Sequence, residues 1–243
     1  MTDASPFDAT DAPRALATPV ADLSLWWCAL TAPMSRLEAF ARWLSPAERT
    51  RMQRFGNDAL RVRYLIGRGT LRWLLGDALR QEPADVAIVR GTRGRPQLAA
   101  FPAIDFNVTH TDNRAMVGIA RGVRIGVDIE RGDRRLNAAG VARKFMTAAE
   151  RAALPSNGDA SRRQLLQLWT CKEAMAKATG DALSAPFGRI HVALAPSPRL
   201  VAGPAPYAPR DWSLHSIQAP DDHLATVAVW HRPERSPNAT TTG

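Results

Sequence analysis

The sequence predicts an α+β chain of two similar lobes, each a small, mainly antiparallel sheet packed with helices, with a cleft between them. Three observations carry this. Short runs of alternating apolar residues separated by turn residues read as strands, while long stretches with apolar residues every three or four positions read as helices. The two classes of segment follow one another in both halves of the 243 residues. A signature also recurs: Ser45-Pro-Ala-Glu48-Arg49 and a helix ending in Gly76-Asp77-Ala78-Leu79 is echoed by Thr147-Ala-Ala-Glu150-Arg151 and a helix ending in Gly180-Asp181-Ala182-Leu183. A duplication of that kind places a site between its copies.

In chain order, residues 1–20 are rich in Ala, Asp, Pro and Thr without periodicity and are expected to be a disordered leader, followed by an N-terminal lobe over 21–120. Residues 23–30 should form the first strand. Ser45 caps a helix, with Pro46 at its first position and Glu48 completing a capping box; Arg49, Arg51 and Arg54 ride on it. A long helix follows over 62–79, then a short strand ending at Arg90. The turn Gly91-Thr92-Arg93-Gly94-Arg95-Pro96 is basic and glycine-containing, which suits either an ordinary solvated hairpin or a backbone cradle for phosphate.

Residues 106–110, 115–120 and 125–130 read as three adjacent strands joined by turns. In the last, Ile125, Val127 and Ile129 point one way and Gly126, Asp128 and Glu130 the other. The two carboxylates therefore share a surface. Hard oxygens so placed suit Mg²⁺ with substrate phosphates completing its shell, and solvated acids on an exposed edge would show the same spacing. His110 closes the first of these strands, where it can be a hydrogen-bonded strand-end residue or meet a phosphate.

The C-terminal lobe, over 121–232, opens with a charged loop and a second capping box, Thr147 with Glu150. A helix over about 161–179 ends at Gly180. Its apolar arc includes Leu165, Leu168, Trp169 and Met175, yet Glu173 falls inside that arc and Lys177 sits one turn on at its edge. A surface i, i+4 pair explains the spacing but not the placement, so a cleft is expected there. Residues 190–194, 212–217 and 224–231 read as strands closing a second sheet, and 233–243 as a disordered tail.

Composition narrows the function. The charge of +9 and a pI near 10.8 call for an acidic partner. Of 32 basic residues only Lys144, Lys172 and Lys177 are lysine, and two of the three lie in WTCKEAMAK, where a compact ammonium is expected to be required. Cys28 and Cys171 match no metal or redox spacing, and neither a signal peptide nor a membrane segment is predicted, so a cytoplasmic location is expected. A basic nucleic-acid-binding protein would share the charge but needs interleaved aromatics or a binding motif, and neither is present. A Mg²⁺-dependent phosphotransferase or nuclease using Asp128 and Glu130 is a second alternative.

With GRP (94–96), FNVTHT (106–111), IGVDIE (125–130), FMTAAE (145–150) and WTCKEAMAK (169–177) in that order, the chain resembles the 4′-phosphopantetheinyl transferases of the surfactin-synthetase-activating type. The resemblance implies a pseudo-twofold monomer that moves the phosphopantetheine arm of coenzyme A to a serine of an acidic acyl or peptidyl carrier protein, releasing 3′,5′-ADP. Residue by residue, it implies Asp128, Glu130 and Glu173 as ligands of Mg²⁺ (or Mn²⁺), with Glu173 also positioned to deprotonate the serine and Lys177 to neutralise the leaving phosphate. It further implies that Arg51, Arg90, Arg93, Gly94, Arg95, Pro96, Thr109 and His110 hold coenzyme A. Gly-Arg-Pro and Thr-His stand where the family usually has Gly-Lys-Pro and Ser-His, which keeps the charge and the hydroxyl.

Overall fold

A computed structural model describes residues 6–8, 11–91 and 93–231. The expected tail, 233–243, lies outside them. The chain is α+β. Its first half runs β1 (Arg14–Leu16), β2 (Leu23–Ala29), α1 (Met34–Trp43), α2 (Pro46–Gln53), α3 (Asp58–Leu79), a hairpin of β3 (Ile88–Arg90) and β4 (Pro96–Leu98), then β5 (Ile104–Thr111) and β6 (Arg114–Arg121). The second runs β7 (Arg124–Arg131), α4 (Ala138–Phe145), α5 (Ala148–Ala152), α6 (Gly158–Thr179), a hairpin of β8 (His191–Ala193) and β9 (Arg199–Ala202), then β10 (Trp212–Gln218) and β11 (His223–Trp230).

From β2 and from β7 onward the element order is the same, and so is the strand order: β2-β6-β5 in one sheet, β7-β11-β10 in the other, all antiparallel. The repeated signature is therefore the visible part of a repeated topology. Both capping boxes form, with Ser45 and Thr147 accepting from the backbone of Glu48 and Glu150. Each capping glutamate also turns inward to a buried cation on the long helix. Glu48 pairs with Arg72 at 2.7 Å, and Glu150 with Lys172 at 2.7 Å.

Two expectations are corrected, and one helix is additional to them. Residues 11–20 are not a disordered stretch: β1 pairs with β2 at the sheet edge, and the Arg36 guanidinium holds the Pro6 carbonyl and Asp11. Helix α1 was not predicted, because Pro33 precedes it without a side-chain cap; its Phe40 is fully buried against Gly69 of α3, where a Cβ would lie 2.3 Å from the ring. The strands over 104–131 are not three neighbours in one sheet. β5 and β6 pair, but β7 joins β11. Side chains of β5 occupy two backbone N–H groups of β7 instead: Ile125 N donates to Asp105 Oδ2 (2.8 Å) and Val127 N to Asn107 Oδ1 (2.9 Å).

The alternation read in β7 holds. Ile125, Val127 and Ile129 enter a core shared by the two sheets with Leu25, Met116 and Val227. The opposite face lies on α6, and a Cβ on Gly126 would sit 1.8 Å from the Ala174 carbonyl oxygen and 2.7 Å from the Ala178 nitrogen. Helix α6 starts at Gly158, capped by Asn157, and ends at Gly180 with φ +84°. Cys28 and Cys171 are free and buried, and burial pushes both thiols up to about 12. Among the described residues no helix is long and apolar enough to cross a membrane.

Backbone rather than a pliable side chain blocks a methyl at Gly126, so Gly126→Ala must push β7 and α6 apart. Urea unfolding should show a loss of about 3 kcal/mol or more. A loss within experimental error would mean that the strand and helix separate freely.

Candidate functional site

The site is assembled from β5, β7 and α6. On β7, Asp128 is 5% exposed. Its Oδ1 accepts from Lys177 Nζ (2.6 Å) and Thr109 Oγ1 (3.0 Å), while Oδ2 is buried without a hydrogen-bond partner. Lys177 completes its own donors on Thr109 Oγ1 (2.9 Å) and the Val127 carbonyl (3.3 Å). The ammonium therefore serves β7 rather than closing a surface pair with Glu173. Glu130 is also buried, and Arg134 forms an ion pair with it.

Burial, and then the neighbouring negative charges, dominate the electrostatics. Asp128 is raised by burial, with Lys177 opposing; Glu130 is raised by burial and by Asp128. Glu173, half-buried on α6, is pushed up to about 7 by burial and the charges of Asp128 and Glu130, against the pull of Lys177. Three carboxylates thus feel one another across the strand–helix contact.

Successive residues of β5 face opposite ways. Thr109 joins the acid cluster, and His110 enters a cavity of about 540 Å³ bordered by α2, α3 and the β3–β4 hairpin. Arg51, Arg90 and Pro96 line it as well. His110 is held below its ordinary value by burial and by the charges of Lys177 and Arg63, so it also marks the junction of the two regions.

Three positions of the basic turn do other work. Arg95 is 8% exposed and saturated: Nε donates to the Lys177 carbonyl (2.9 Å), Nη1 and Nη2 to Asp105 (2.7 and 2.8 Å), and Nη2 to the Ile125 carbonyl (2.7 Å). It ties the hairpin to both halves of the site and has no donor left for a phosphate. Arg93 is ion-paired with Asp181, and Gly94, with φ +74°, offers its carbonyl to Arg90. Lys172 is likewise structural: its three donors go to Glu150 and the Phe145 and Phe187 carbonyls, all within 2.9 Å. Arg63 and Arg68 of α3 line the cavity and were not anticipated. Their signal was available in the helical stripe Leu60, Tyr64, Gly67 and Leu71, which they border.

The donor set suits a hard divalent cation, since Asp128 keeps one buried carboxylate oxygen unpartnered beside two further acids. As placed, however, Glu130 is engaged by Arg134. Among the described residues no three acids, histidines or cysteines are gathered closely enough to hold a metal ion. The carboxylates fit the ion chemically, with Arg134 on one oxygen of Glu130 in this arrangement.

Carboxylates around an ammonium, next to an arginine-lined cavity, suit a class of protein that binds and acts on a polyanionic substrate. Comparison with known proteins gives the particular family. Residues 124–228 match the family model described as the 4′-phosphopantetheinyl transferase superfamily, and residues 30–121 that described as 4′-phosphopantetheinyl transferase, N-terminal. The chain is 34% identical to the 4′-phosphopantetheinyl transferase HetI of Nostoc sp., over 86% of this chain and 87% of that one. It is 26% identical to a 4′-phosphopantetheinyl transferase of Bacillus subtilis (74% and 73% covered) and 27% identical to a phosphopantetheinyl transferase of Thraustochytrium sp. (84% and 75%). The chain belongs to the 4′-phosphopantetheinyl transferase superfamily and is an enzyme of that activity.

A raised carboxyl penalises folding once it ionises. Between about pH 4.5 and about 7 the native state holds the Glu173 proton more firmly than the unfolded chain, so stability of the metal-free protein falls as pH rises through that window. Glu173→Gln should match wild type below about pH 4.5 and exceed it in thermal midpoint above about pH 7. A difference that does not vary with pH would show that Glu173 titrates as an ordinary carboxyl.

Proposed function

We propose that the protein moves the 4′-phosphopantetheine arm of coenzyme A to a serine hydroxyl of an acyl or peptidyl carrier protein, releasing 3′,5′-ADP. It would act as a cytoplasmic monomer of the surfactin-synthetase-activating type. The observation that carries this reading is the junction at Thr109-His110, where one strand feeds a hydroxyl into the acid–lysine cluster and an imidazole into the arginine-lined cavity. A substrate with a nucleotide phosphate at one end and a pyrophosphate at the reacting centre needs both, side by side.

In this reading Arg51, Arg63, Arg68, Arg90 and His110 receive the adenosine end and its 3′-phosphate. Thr109 and Lys177 face the pyrophosphate, where the ammonium offsets charge on the departing 3′,5′-ADP. Glu173, on the helix facing the acid pair, takes the proton from the carrier serine. The serine Oγ–P bond forms as the P–O bond to 3′,5′-ADP breaks. Asp128, Glu130 and Glu173 would hold Mg²⁺ or Mn²⁺, which when bound supplies further neutralisation of phosphate charge. Arg93 and Arg95 support the hairpin rather than the ligand. The net charge of +9 supports an acidic carrier as partner, since complementary charge speeds encounter.

Incubating the protein with coenzyme A, Mg²⁺ and an apo carrier protein should add the mass of phosphopantetheine to the carrier, as read by mass spectrometry. Asp128→Ala should lose that transfer while keeping its unfolding transition. An unmodified carrier, or full activity in the variant, would refute the assignment.

His110→Ala separates the cavity from the chemistry. It should raise KM for coenzyme A about tenfold, the size expected for a lost charge-assisted hydrogen bond, with a smaller effect for dephospho-coenzyme A. Equal increases for both would remove His110 from the 3′-phosphate.

A further inference from the structure

Building on that reading of the acid cluster, we propose that Arg134 is a tethered counter-cation that occupies Glu130 until a divalent metal ion displaces it. Metal binding is thereby coupled to release of the Arg134 side chain. Glu130 has only a tenth of its side chain exposed, whereas half of Arg134 is in solvent. The carboxylate is fixed by the strand, and the arginine arrives from outside.

Glu130 shares a strand face with Asp128, and two like charges so placed repel each other unless a cation stands by them. The Lys177 ammonium is spent on Asp128, Thr109 and the Val127 carbonyl. The second cation at the cluster is the one that touches Glu130. Arg134 supplies it from the turn after β7, where its backbone N–H donates to the Arg131 carbonyl (3.1 Å). A guanidinium suits the task because it stays charged at any working pH.

Its neighbours do not share the task. Arg131 is committed to Asp112 and Asp133, and Arg135 is an exposed residue on the same loop. A surface pocket of about 330 Å³ lies beside them, lined by Thr111, Asp112, Arg131, Asp133, Arg134 and Arg135, so a displaced Arg134 side chain has open, solvated space to move into. Released there, the guanidinium is in solvent and leaves no charge buried and unpaired.

The test is Mn²⁺ binding to the full chain without coenzyme A, by titration calorimetry or by the loss of the free-ion resonance signal. Arg134→Ala should bind Mn²⁺ about fivefold more tightly than wild type, the scale of one partly exposed ion pair. Arg135→Ala removes the same charge from the same loop but no partner of Glu130, so it should tighten binding distinctly less. Unchanged affinity in Arg134→Ala, or equal gains in the two variants, would overturn the competition. Glu130→Ala separates the underlying reading: weakened binding there with no gain in Arg134→Ala defeats only this inference. Binding equal to wild type in Glu130→Ala, or none in any variant, defeats both.

Discussion

The contact between β7 and α6 at Gly126 is the constraint on which the site depends. Gly126 on the strand and Ala174 and Ala178 on the helix bring backbone against backbone. At that separation a lysine one turn beyond Ala174 reaches a carboxylate two residues beyond Gly126, and the 2.6 Å contact of Lys177 with Asp128 follows from the spacing. The other face of the same strand carries Ile125, Val127 and Ile129 into the core between the sheets. One strand thus positions the chemistry and joins the halves, with no freedom to adjust one without the other.

The rotation of α6 about its axis is set from its far side. Lys172 and Lys177 are five residues apart, about 140° around the helix, so one points into α4 and α5 while the other points at β7. The Glu150–Lys172 pair is fully enclosed, and Glu150 also accepts from the Val192 backbone and its own helix cap. Losing one partner of such a pair typically costs about 3–5 kcal/mol, which makes the orientation of Glu173 and Lys177 stiff. The first half repeats the device with Glu48 and Arg72, but Gly69 and Trp73 stand where the second half has Glu173 and Lys177. A shared scaffold therefore carries the clustered acid and amine on one long helix and cavity arginines on the other.

What could be read in advance was local. The alternation in β7, the two capping boxes and the glycine after α6 each follow from the conformational needs of a few consecutive residues. Glu173 stood out because a charge in an apolar arc conflicts with its surroundings. Long-range partners left no such trace: nothing near Arg95 announces that it will be consumed by Asp105, Lys177 and Ile125 rather than by a phosphate. Nor does β7 show that side chains of Asp105 and Asn107 will take its N–H groups, so that it leaves its sequence neighbour for β11. Lys172 and Lys177 read alike in sequence, and only burial separates a structural ammonium from one at the site.

The burial of the two cysteines has a consequence for thiol chemistry. Oxidised small thiols exchange with any protein thiolate they can reach. Cys28 and Cys171 are sealed in the interior with their ionisation pushed to about 12, which leaves almost no nucleophilic sulfur at neutral pH. Both sulfurs are thereby shielded from thiol–disulfide exchange with oxidised small thiols in the surrounding solvent.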